Sequence, residues 1–455
     1  MARMTRTLAI LAVGVAVASG VQGCASSLDE ESSSSFALPK LADLNPFQIS
    51  KAPLPGKRIA VLTSEDTLNT RMEGTTGAIA IPPPQQLAEW ATPGGMPSNA
   101  PGHLALNGSL RTLWTAEAGT GSSSVAKLTA SPIVHQGRVY VFDAASHVAA
   151  FSASGGSRAW SVKVSPDGES ETKAFGGGIA AEGGRVFAVT GFGTAVALDA
   201  ATGARLWEKK LGAPFHSAPT VTDGRMFATN TDGQVVCLAV ADGTVLWTYH
   251  GVPQSSAALL TNTRPAVSGD AVVVPFTSGD LVSLKTDSGQ PVWSDTLNGA
   301  RASASIASLS DPASPVATGG SVYAVSRSGR MISTNEDTGV RAWSMNVASV
   351  QTPWVAGDAV YVVDITGRLL ALKRTNGEIR WAVKLPGEAK VWSGPVLAGS
   401  KLWVTSSKGK LVGVDPTTGK PVAERDLGAP LYLAPVVADG RMYVLTDRAS
   451  LVAIE

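Results

Sequence analysis

Cysteine is nearly absent. The 455 residues hold two, Cys24 and Cys237, so the sequence has no CxxC pair, no CxxCH and no disulfide framework. Cys237 lies within the apolar run "GQVVCLAV" and reads as a small buried hydrophobe. Charge is also sparse, at 16% of residues against the quarter usual in globular chains. The formal net charge is +1 and no dense Lys/Arg run occurs, so nothing argues for nucleic acid as a partner. No segment shows ten residues of helical periodicity. The five histidines, His103, His135, His147, His216 and His250, have no metal-ligand spacing and read as structural. The glycine run "FGGGIAAEGG" opens no helix, which makes it a poor phosphate cradle. No local Ser/His/Asp arrangement points to a nucleophile. Catalytic residues, cofactor ligands and metal ligands are therefore all expected to be none.

Glycine and apolar residues are abundant, with 48 glycines and 44% hydrophobic residues. That composition suits many short strands joined by tight turns. At the N-terminus, "MARMTRTLAILAVGVAVASGVQGC" has a basic start and an apolar run from Leu8 to about Val21. The run is too short to span a bilayer and fits a secretory signal, expected over residues 1–23. Its closing "VQGC" resembles the lipobox of bacterial lipoproteins, which implies that Cys24 becomes lipid-modified (palmitate) and forms the mature N-terminus. Ala25 follows Cys24; an aspartate there would resemble an inner-membrane retention signal, and its absence favours the outer membrane. Residues 24–52 are polar and serine-rich and read as a flexible tether. Residues 53–107, broken by Pro and Gly, read as extended backbone lying on something else.

From residue 108 a repeat takes over. Gly-x-x-x-Trp recurs as "GSRAW", "GARLW", "GTVLW", "GQPVW", "GVRAW" and "GEIRW", ending at Trp160, Trp207, Trp247, Trp293, Trp343 and Trp381. Successive tryptophans are 38–50 residues apart. A seventh copy, "GKPVA", places Ala423 in the tryptophan position, with Trp392 and Trp403 nearby to fill the space. Eight Gly-initiated strands, from "GRVYVF" to "GRMYV", accompany the motif. Each unit reads as four strands with Gly or Asp-Gly turns, the signature of a propeller blade. Asp199, Asp242 and Asp415 sit where a side chain caps its own turn. The eighth unit stops before its last strand, and "NGSLRTLWTAEAG" with Trp114 supplies that strand from the other end of the chain, closing the ring. The expected fold is all-β: an eight-bladed propeller of four-stranded antiparallel blades over residues 108–455. Trp114, Trp160, Trp207, Trp247, Trp293, Trp343 and Trp381 are expected to dock blade on blade.

The repeat resembles the propellers of quinoprotein alcohol dehydrogenases. Such an enzyme would need pyrroloquinoline quinone, Ca²⁺ ligands and, typically, an adjacent Cys–Cys disulfide. With one cysteine in the propeller that disulfide is impossible. Two inter-blade loops stand out instead as recognition surfaces. "GVPQSSAALLTNTRP" (251–265) carries Leu259 and Leu260, and "ARASASIASLSDPASP" (300–315) carries Asp311.

Lipobox, tether and a Gly-x-x-x-Trp propeller without cofactor ligands together resemble the BamB family, lipoproteins of the outer-membrane β-barrel assembly machinery. The resemblance covers essentially the whole mature chain. It implies a non-catalytic, lipid-anchored scaffold facing the periplasm. Its implied partners are the POTRA domains of BamA, the other lipoproteins of the machinery, and unfolded outer-membrane proteins. In that family a Leu-x-Leu-Arg loop and an acidic loop make the BamA contact, which implies partner-binding roles for Leu259, Leu260 and Asp311. Here the arginine, Arg264, follows the leucines only four residues on.

Overall fold

The structure is a computed structural model that describes residues 78–170, 174, 176–251, 263–298 and 311–455. The signal segment, Cys24 and the tether lie outside the described residues.

Hairpins dominate because Gly and Asp-Gly turns separate runs of alternating apolar residues. The described residues form 32 strands in eight four-stranded antiparallel sheets. Seven sheets take their strands in sequence order. The eighth pairs Thr112–Glu117 with Ser450–Ile454, so the ring is closed by the N-terminal strand and has no open end. We number the blades from Ile133, so that blade 8 holds both Val436–Ala438 and Thr112–Glu117. Within a blade, the first strand is innermost and the fourth outermost.

One cross-strand pattern recurs around the ring, with blade 7 as the exception. The docking tryptophan on the fourth strand faces a small residue on the third, as in Ala197↔Trp207, Cys237↔Trp247 and Ser283↔Trp293. In six blades that small residue in turn faces an aromatic on the second strand, as in Phe187↔Ala197 and Tyr361↔Ala371, whereas in blade 4 Ser283 faces Val273. The small middle residue lets the two rings meet over it, with centroids 5.8–6.1 Å apart. Cys237 is fully buried in this position, and burial pushes its thiol up to about 12.

The indole then reaches the next blade. It lies on the glycine of that blade's Gly-x-x-x-Trp motif and donates Nε1–H to the carbonyl three residues before that glycine. Trp160 donates to Ala200 O (3.2 Å), Trp293 to Glu336 O (2.7 Å) and Trp381 to Pro416 O (3.2 Å). A Cβ on Gly203 would stand 2.8 Å from the Trp160 ring, and the φ of +75° there also favours glycine. The glycine and tryptophan of one motif thus serve two successive junctions, which explains why the two recur together.

Between the third and fourth strands, Asp199 caps its turn by accepting from Thr202 N (2.8 Å) and Thr202 Oγ1 (2.8 Å). Asp242 accepts from Thr244 N (2.9 Å) and Thr244 Oγ1 (2.8 Å). Asp415 does the same with Thr417 and Thr418. Hydrogen bonds from Thr202 hold the Asp199 carboxyl below its ordinary range, and those from Thr244 act likewise on Asp242.

Candidate functional site: the propeller axis and the loops beside it

The innermost strand of each blade leaves one edge unpaired toward the axis, and residues 78–107 cover much of it. Trp90 and Val134 exchange two backbone hydrogen bonds in blade 1, Ala181 N donates to Ala91 O in blade 2, and Val267 N to Pro97 O in blade 4. Ala317 N donates to Ser98 O in blade 5, and Trp354 Nε1 to Gly102 O in blade 6 (2.8 Å). Gly399 N donates to Leu104 O in blade 7 and Asp439 N to Leu87 O in blade 8. The segment therefore ties seven blades across the axis, satisfying edge groups that would otherwise need water.

Side chains fasten it further. His135 Nδ1 lies 2.7 Å from Glu89 Oε2. The His103 ring bridges Pro82 O and Ser400 N through its two nitrogens. Of the other histidines, His147 lies 3.5 Å from Asp143, Gln234 contacts His250, and burial lowers the pKa of His216. Among the described residues, no three His, Cys, Asp or Glu side chains stand together as a metal set.

Most of these contacts sit toward the ends of the inner strands. At the beginnings of those strands the axis opens into a cavity of about 220 Å³. Trp90, Gly94 and Asn99 of the covering segment line it, with residues of blades 1, 6, 7 and 8 and with Arg264. Trp90 and Trp354 stack there, centroids 6.4 Å apart and planes 17° from parallel. No lining residue is Asp or Glu. A Ca²⁺ ion needs carboxylate and carbonyl oxygens, and the one charged group lining this cavity is a cation. The donor set does not fit a divalent cation.

Arg264 was not singled out for this cavity by the sequence, yet the aligned repeats carry the signal. It occupies the position two residues before Ala266, the inner-strand residue that pairs with Val273 of the second strand, at the place where most blades carry an aromatic. In the other blades that position holds Ser131, Gly178, Ala218, Ser314, Thr352, Gly394 and Ala434. All are small. One arginine in a ring of small residues is an anomaly that superposing the repeats exposes.

Of the two loops singled out in the sequence, the described residues are 251, 263–265 and 311–315. Leu259 and Leu260 lie outside the described residues. Asp311 is 1% exposed, and its backbone carbonyl accepts from Arg327 N (2.9 Å). The described residues at the ends of the two loops meet: Thr263 Oγ1 donates to Pro312 O (2.7 Å) and Arg264 N to Ser314 Oγ (3.1 Å). The seven docking tryptophans all occupy inter-blade positions, where each indole is held by a backbone carbonyl.

Blade count, ring closure and docking pattern define an eight-bladed propeller of PQQ-like repeats. A family model described as outer membrane protein assembly factor BamB matches residues 144–383 and 381–455, more than half of the chain. The chain belongs to the BamB family. It is 26% identical over 202 residues to BamB of Burkholderia pseudomallei, covering 44% of this chain and 49% of that protein. It is 27% identical over 268 residues to BamB of Salmonella typhimurium, covering 58% and 63%. The matches thus span about half to under two thirds of these relatives. In fold it is similar to the crystal structure of BamB from Moraxella catarrhalis, with a TM-score of 0.66, 19% identity and coverage of 76% of this chain and 100% of that one. It is also similar to quinohemoprotein alcohol dehydrogenase from Comamonas testosteroni, with a TM-score of 0.64, 14% identity and 81% of each chain covered. At these identities the solved structures speak to the fold alone.

Proposed function

We propose that this protein is a non-catalytic scaffold of the β-barrel assembly machinery, held at the periplasmic face of the outer membrane by a lipid on Cys24. The observation that carries this reading is the family match from residue 144 to 455, together with relatives named as outer membrane protein assembly factors. A dehydrogenase reading draws on fold likeness alone, and the axial cavity offers no carboxylate to a metal.

On this reading the partner is the POTRA region of BamA, and the contact uses the loops bearing Leu259, Leu260 and Asp311. The hydrogen bond between Thr263 and Pro312 supports a single contact surface, because it brings the ends of both loops together. Rigid blades presenting variable loops suit such a role. The test is binding of the folded chain to purified POTRA domains by interferometry. Leu259→Asp with Leu260→Asp is expected to weaken binding at least about tenfold, as loss of an apolar hot spot would, with the thermal transition unchanged. Unchanged binding by the double variant rejects this loop; no binding by the parent rejects the partner.

A further inference from the structure

Arg264 is 7% exposed and lines the axial cavity. Its Nε donates to Asn99 Oδ1 at 2.8 Å. No carboxylate faces it among the described residues, and neither Nη finds an acceptor among them. The guanidinium lies so close to Gly94 that a Cβ there would fall 2.1 Å from an Nη, so the covering segment is shaped around the charge. Asn99 is itself held by donating Nδ2–H to Pro315 O (2.8 Å), which fixes Nε and leaves the outer edge of the fork uncommitted. Burying a guanidinium without a counter-ion is costly. Burial pulls its pKa down to about 9, so the group remains a cation at neutral pH.

The surroundings specify more than charge. Ser131 and Thr352 add hydroxyl groups to the lining, and Trp90, Trp354 and Tyr432 add aromatic surface. Tyr432 is 45% exposed. An engineered apolar cavity of about 150 Å³ is known to take benzene, so a void of about 220 Å³ has room for a ring bearing one carboxyl group.

We propose that the axial cavity is a carboxylate-binding site, in which the Nη edge of Arg264 pairs with a monocarboxylate whose planar apolar body lies among Trp90, Trp354 and Tyr432. The bidentate geometry of guanidinium and carboxylate favours this anion over a spherical one. The carboxylate could belong to a free organic acid or to the C-terminal end of a peptide, since both present the same group on an apolar body.

The test is isothermal titration calorimetry on the full chain with sodium benzoate, and with benzamide as its uncharged isostere. N-acetyl-Gly-Phe with a free and with an amidated carboxyl group forms the second arm. Benzoate is expected to saturate at one per chain and benzamide to bind at least about tenfold more weakly, the scale of a lost charged hydrogen bond. Arg264→Gln should lose benzoate by a similar factor while Arg264→Lys keeps part of the affinity. Tighter binding of the free-acid dipeptide than of benzoate assigns the site to a chain end, and the reverse order to a free acid. The proposal is overturned if no carboxylate saturates, if benzamide matches benzoate, or if folded Arg264→Gln binds as the parent does. Should Arg264→Gln fail to fold, the benzoate–benzamide comparison on the parent decides alone.

Discussion

Seven junctions between blades are closed by an indole, and the junction between blades 7 and 8 is not. At the seven, the tryptophan fills the gap and its N–H satisfies a carbonyl of the next blade. Where Ala423 stands instead, Trp403 on the second strand takes the bulk. Its Nε1 donates to Ala398 O of its own blade (3.0 Å), and its ring lies over Gly413, where a Cβ would meet it at 2.8 Å. The order aromatic, small, Trp across strands two to four becomes Trp, Gly, Ala. Arg425 then ties blade 7 to Leu110 O and Thr112 Oγ1 of the closing strand. A cavity of about 210 Å³ remains, lined by Leu106, Leu110, Trp403 and Ala423 among others.

The difference follows from how the ring closes. The docking glycine belongs to the hairpin between third and fourth strands. In blade 8 the fourth strand comes from Thr112–Glu117 instead, so that hairpin and its glycine are missing. An indole at position 423 would have neither its platform nor its carbonyl. The tryptophan is absent where its receptor is absent.

The largest effect should come from emptying a complete junction. Trp207→Ala is expected to cost about 3–5 kcal/mol, as for other large-to-small changes at aromatic core sites, read as a shift in denaturant midpoint. A midpoint equal to the parent's would break the comparison at its root. Gly413→Val should cost about 1–3 kcal/mol by overpacking, since Trp403 occupies the room its side chain needs; a neutral result would show that Trp403 is not confined there. Ala423→Trp sharpens the contrast from the other side. With a cavity to fill but no glycine platform, it should change stability by less than about 1.5 kcal/mol, and a gain as large as the Trp207→Ala loss would contradict the receptor argument. The smallest effect is acid-dependent. The Asp199 carboxyl is held below its ordinary value by Thr202, so its contribution is present above the unfolded carboxylate value of about 3.9 and fades as pH falls through the lower folded value. Asp199→Asn should therefore differ most from the parent near neutrality, and the two unfolding midpoints should converge in strong acid.

The blades were legible because most repeat the same local demands: a glycine for the docked ring, an aspartate or asparagine for the turn, alternation for the strands. Ring closure was legible from the surplus strand around Trp114. The filling of the Ala423 gap was half legible, since sequence named both Trp392 and Trp403 while only the register over Gly413 distinguishes them. The course of residues 78–107 could not be read, because extended backbone pairing with strand edges leaves no period of its own. Arg264 stands out in the aligned repeats as the one large residue at its position, but its burial at the axis depends on where eight inner strands converge. Leu259 and Leu260 lie outside the described residues, and the buried Asp311 marks the base of its loop.

The central claim is membership in a working assembly complex. It is tested most directly by native pull-down of the full-length protein from gently solubilised outer membranes, read by mass spectrometry. The account predicts recovery of BamA with its companion lipoproteins. Their absence, under conditions that keep the rest of the machinery together, would contradict it.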